Sequence, residues 1–118
     1  MKSFSLPAGR YTFCDACQTG DYYDEVILDE FIDWSQGDCG IINEDVFLYC
    51  TGSDGAVDVR RTNEEKLGVV GIDAANISIV PSSRVVDHYG VTLQFDDEVV
   101  IKVYHDAIVV NDEYRIRV

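Results

Sequence analysis

Cys14-Asp15-Ala16-Cys17 is the tightest group of reactive side chains in the chain, a C-x-x-C motif after a strand-like run and a few residues before a helical one. Such a pair performs thiol–disulfide chemistry when a helix N-terminus or nearby cations lower the thiolate pKa. Here Gly20 and Asp21 separate the pair from the helix, and the charges around it are acidic. The remainder of the chain reads as antiparallel β, not the βαβ frame of thioredoxin-like motifs. Adding Cys39 and Cys50 gives a second candidate, a four-thiolate zinc site with His88 and His105 as substitute ligands. Local zinc ribbons use two close pairs, whereas ten residues separate Cys39 from Cys50. Cys50 also lies in an apolar run, where a buried free thiol is ordinary.

Other chemistry finds less support. Asp33 to Glu44 has the length of a calcium loop, with Asp33, Ser35 and Glu44 at its first, third and twelfth positions. Asp38, however, stands where the loop needs glycine, Gly40 stands where it needs an aliphatic residue, and a strand follows instead of a helix. No nucleophile–base–orienter set and no glycine-rich phosphate loop can be read. With 22 acids in the chain, no particular carboxylate pair stands out for hydrolysis. His105 reads as a solvated turn residue. No catalytic residue is nominated.

The charge pattern is more informative. Between Arg10 and Arg60 there is no lysine, arginine or histidine, yet 12 of the 22 acids lie there. The rest of the chain is close to neutral, so nearly all of the net charge of −13 sits in one stretch. A field of that sign repels DNA, RNA and anionic membranes and attracts basic protein surfaces. Scattered, sparse cations argue against nucleic-acid binding.

These residues need elements to hold them. The chain of 118 residues, 47% hydrophobic with 2 prolines, fits one domain over 1–118. No apolar run is long enough to span a bilayer, and the first residues do not form a secretory signal, so a cytoplasmic protein with reduced cysteines is expected. Residues 21–35 read as an amphipathic helix, with Tyr23, Val26, Ile27, Glu30, Phe31 and Trp34 at helical spacing. Its other face carries Asp24, Glu25, Asp29 and Asp33 without basic partners, a like-charge arrangement that costs a few tenths of a kcal/mol per pair. Short strands are expected at 3–6, 10–14, 45–50, 56–61, 67–72 and 77–80, with Thr51–Gly55 as the turn between the third and fourth. Four period-2 segments from Val91 to Val118 predict a C-terminal antiparallel meander that ties the last residues into a sheet. The fold class is a β-rich α+β domain, a curved antiparallel sheet or small barrel with one packed helix.

Two segments resemble a group of small bacterial and phage proteins of uncharacterised function. That group has an N-terminal Pro-Ala-Gly-x-Tyr-x-Ile-Gly-Asp-x-Cys pattern followed by an acidic helix. Pro7, Ala8, Gly9, Tyr11, Asp15 and Cys17 match it, with Phe13 and Cys14 in place of isoleucine and glycine. Ile72 to Pro81 is similar to a second stretch of the group, with Ala75 and Ser78 where glycines stand. The resemblance covers about a quarter of the chain. It implies a mobile-element or accessory origin, and it makes Asp15 and Asp73 the first acids to test for an active site.

The sequence thus predicts a non-enzymatic accessory protein, monomer or homodimer, with no resident cofactor. Asp24, Glu25, Asp29, Glu30 and Asp33 would bind a basic protein surface, with a carboxylate spacing that loosely imitates phosphates along a nucleic acid. A zinc- or thiol-dependent enzyme or sensor using Cys14 and Cys17 is the alternative, and a structural domain self-associating through a sheet edge is a third.

Overall fold

Alternation along the strands decides which face each one buries. In the segment Val99–Val103, Val99, Ile101 and Val103 are buried while Val100 and Lys102 are half-exposed, as a strand packed on one side requires. The computed structural model describes residues 1–87 and 90–118; His88 lies outside the described residues. Eleven strands are present among them: β1 (Lys2–Leu6), β2 (Gly9–Cys14), β3 (Cys39–Ile42), β4 (Val46–Cys50), β5 (Gly55–Arg61), β6 (Lys66–Ile72), β7 (Asn76–Pro81), β8 (Val91–Phe95), β9 (Val99–Val103), β10 (Ala107–Val110) and β11 (Tyr114–Arg117).

They form two antiparallel sheets, one in the order β1-β9-β10-β11-β5-β6 and one in the order β3-β4-β7-β2-β8. The fold is therefore β-rich α+β, with no closed barrel among the described residues. The main core lies between the sheets, where Phe13, Phe47, Ile79, Ile101, Ile108 and Ile116 are fully buried. The outer face of the second sheet (Cys14, Val46, Leu48, Val80) is covered by Tyr23 and Ile27 of the helix. The layers therefore run sheet, sheet, helix.

The helix, α1, covers residues 21–31 and is shorter than the expected 21–35. Its stretch Tyr23–Ile27 is a wide π-helical turn, closed by the Leu28 N–H donating to the Tyr23 carbonyl, and Leu28–Phe31 is α-helical. The i→i+5 turn rotates the buried face. Leu28 is half-buried against the sheet, while Val26, expected inside, is exposed.

Two turns read from sequence as hairpins are crossings between sheets. Thr51–Gly55 leads from β4 in the second sheet to β5 in the first, and Asp96-Asp97 leads from β8 to β9. The meander is consequently three strands, β9-β10-β11, while Val91–Phe95 pairs with β2. Gly40, outside every strand expected from the sequence, lies in β3 and pairs with Leu48. The chain end is tied in as expected, by the Val118 N–H donating to the Asp106 carbonyl at 3.0 Å. No helix among the described residues is long and apolar enough to cross a membrane.

Candidate functional site

Asp15 follows directly on β2 and is fully buried. Its extended backbone and side chain cap a 3₁₀ turn, Ala16–Thr19, the role that suits a short carboxylate at a helix start. Oδ1 accepts the Cys17 N–H at 2.8 Å. Oδ2 accepts the N–H groups of Asp73 at 2.9 Å and Ala74 at 2.7 Å. A buried charge needs such donors, and all three come from backbone. The link is doubled by Asn76, whose Oδ1 accepts the Ala16 N–H at 2.8 Å. Asp73 itself is exposed and meets Asp15 through its main chain. The two acids singled out in the sequence are thus neighbours, but as halves of a structural clamp and not as a carboxylate pair.

The thiols beside this clamp are held neutral. Cys14 is buried against Ser78, and burial pushes its pKa up to about 12. Cys17 is also pushed up to about 12, by burial first and then by the hydrogen bond and charge of Asp15. A thiolate nucleophile needs the opposite shift. Cys39 is half-buried opposite Tyr49, and the buried Cys50 thiol lies 3.9 Å from the Trp34 carbonyl. All four cysteines are free. Among the described residues, no three of the His, Cys, Asp and Glu side chains are placed to hold a metal ion. Cys14, Cys17, Cys39 and Cys50 are therefore not gathered into a zinc site.

The calcium-like stretch is broken by β3, and Asp38 uses its carboxylate on the Ser35 N–H at 2.8 Å. His105 is 95% exposed, as a turn residue.

Asp24, Glu25, Asp29, Glu30 and Asp33 are all exposed on α1 and the turn after it. None belongs to an ion pair among the described residues. Arg84 stacks 4.0 Å over the ring of Tyr22 in the helix and is paired with Asp45 at 3.0 Å, not with any of these five acids. Two apolar side chains stand among the acids, Val26 and the 70% exposed Ile32.

Four of the nine lysines and arginines gather on the opposite side. Lys102, Val109, Arg115, Arg60 and Lys66 stand in one cross-strand row over the outer face of the first sheet. These cations are engaged locally, Arg60 and Lys66 with Asp58, Arg115 with Glu64 and Lys102 with Asp112.

A further feature had no signature in the sequence. A cleft of about 360 Å³ opens between β6 and the end of β2, lined by Cys14, Asp15, Gln18, Val69, Gly71 and Asp73 among others. Gln18 and Gly71 belong to no motif, so only the folded chain reveals them as neighbours. No family model, curated protein or solved structure matches the chain.

Proposed function

We propose that this chain is a non-enzymatic interaction protein that binds a basic protein surface through the acidic face of α1. One observation carries the reading. Asp24, Glu25, Asp29, Glu30 and Asp33 are exposed and free of ion pairs among the described residues, while the cations of the outer sheet face are engaged by other carboxylates. Uncompensated charge of one sign speeds the approach of an oppositely charged partner and rejects like-charged ones. Val26 and Ile32 supply apolar contact once that partner has arrived. A partner that normally binds nucleic acid fits best, because its cations already match a row of anions.

The test is a defined set of purified basic nucleic-acid-binding proteins and a variant carrying Glu25→Lys, Asp29→Lys and Asp33→Lys. The natural chain is expected to bind a member of the set at low salt and to release it as salt screens the contact. The variant should lose that binding while remaining folded. Retention of binding by the reversed face at low salt would overturn the reading.

A further inference from the structure

The cleft beside β6 differs in kind from the helix face. β6 is the last strand of the first sheet and, among the described residues, pairs only with β5, so its other side has main-chain groups outside any ladder described. Its composition is unusual for a strand, with glycine at 68 and 71. A Cβ at Gly68 would lie 2.7 Å from Val91 Cγ2, so that glycine lets β6 close on β8. Among the described residues, a Cβ at Gly71 would meet nothing within 4 Å, which leaves bare backbone at the cleft. Glycine in a strand interior marks places where another backbone can come close. Val69, between them, is 44% exposed.

The charged part of the lining is acidic. Asp73 presents an exposed carboxylate, and Asp15 lies behind it. The Gln18 Oε1 atom has no accessible surface and, among the described residues, no hydrogen-bond donor. No lysine or arginine lines the cleft among the described residues, and the Cys14 thiol there is buried against Ser78.

We infer that β6 and this cleft bind an extended segment of a partner protein by strand addition, with a lysine or arginine side chain of that segment seated against Asp73. Main-chain pairing supplies affinity in such complexes, and side-chain pockets supply specificity. A cationic residue is what an acidic lining selects. A second copy of this chain is a poor occupant, since two chains of net charge −13 repel. The inference goes beyond the helix-face reading and does not depend on it.

The probe is a short fluorescent peptide of alternating valine and lysine, with its valine–glutamate counterpart and free lysine as controls. The natural chain should bind the valine–lysine peptide alone, with new hydrogen-exchange protection in β6. Asp73→Lys reverses an exposed side chain, and Gly71→Val fills open space, so both should fold. Each should weaken the peptide by about tenfold or more. The helix variant Glu25→Lys/Asp29→Lys/Asp33→Lys should keep β6 protection and sensitivity to Asp73→Lys. Affinity equal to that of the natural chain in Asp73→Lys and Gly71→Val would overturn the inference. So would free lysine binding as well as the peptide, absence of protection in β6, or loss of binding on helix reversal alone.

Discussion

The carboxylate of Asp15 accepts the backbone N–H of Asp73 at 2.9 Å across 58 residues of sequence. This bond, with those from Ala74 and Cys17, fixes the turn between β6 and β7 to the end of β2. Replacing the carboxylate with an amide at Asp15→Asn removes the charge that three donors share. Hydrogen bonds to charged groups contribute about 1.5–3 kcal/mol each, and lost partners are costly when buried. The expected loss is about 3 kcal/mol, read as a thermal midpoint lower by roughly 10 °C. A shift of under about 2 °C would mean that the clamp does not hold the fold.

Ala75 follows that clamp with φ of +55°. A left-handed backbone strains any residue with a Cβ by about 1–2 kcal/mol, while glycine loses more freedom on folding. Ala75→Gly should therefore raise stability by about 0.5–1 kcal/mol, measured by urea unfolding with an unchanged slope. A destabilised variant would show that this strain is absent in solution.

Gly90 and Gly71 should respond in opposite ways to alanine. Gly90 has φ of +115°, and a Cβ there would lie 2.2 Å from the Phe13 carbonyl oxygen, a backbone atom that cannot move aside cheaply. Gly90→Ala is expected to cost about 3 kcal/mol or more. Gly71→Ala should stay within about 0.5 kcal/mol of the natural chain. Two similar midpoints in thermal melts would contradict this contrast.

Alkaline pH should weaken the fold through the thiols. Burial raises Cys14 and Cys17 from 9.0 to about 12, so between those values the folded chain keeps protons that the unfolded chain releases. Stability then falls as pH rises from about 9 toward about 12. Tyr23 and Tyr49, also raised by burial, act in the same direction above their ordinary value. Urea midpoints at a series of alkaline pH values should decline, and Cys14→Ala/Cys17→Ala should make the decline shallower. An identical slope in the double variant would remove the thiols from the explanation. At neutral pH the same protonated thiols should react slowly with iodoacetamide in the folded chain.

Local pattern is readable in the sequence and partnership is not. Tyr23, Ile27 and Phe31 announce a helix, and Val99, Ile101 and Val103 announce a strand buried on one side. Thr51–Gly55 and Asp96-Asp97 announce reversals of direction, but turn chemistry is the same whether the next strand joins the same sheet or the facing one. The π turn at Tyr23–Ile27 has no residue signature, so regular helical spacing points Val26 inward and passes over Leu28. At the sites, the exposure of Asp24, Glu25, Asp29 and Asp33 follows from helical spacing, whereas Glu30 shares the spacing of the apolar face and is exposed all the same. The burial of Asp15 does not, because it depends on N–H groups supplied by Asp73 and Ala74, more than fifty residues away. Gly71 and Gln18 become neighbours only through the stacking of the two sheets.

The crossing at Thr51–Gly55 splits both sheets between two halves of the chain. The half before it supplies β1 to the first sheet and β2, β3 and β4 to the second, and the half after it supplies the rest of both. Gly52, Ser53 and Asp54 are exposed there, where a protease can reach them. A single nick would leave two fragments, neither of which holds a complete sheet. They would remain bound to each other under native conditions and part only when the whole molecule unfolds. Expressed separately, each should be unstructured until mixed with its complement, which makes this crossing a natural place to divide the molecule into a two-piece reporter.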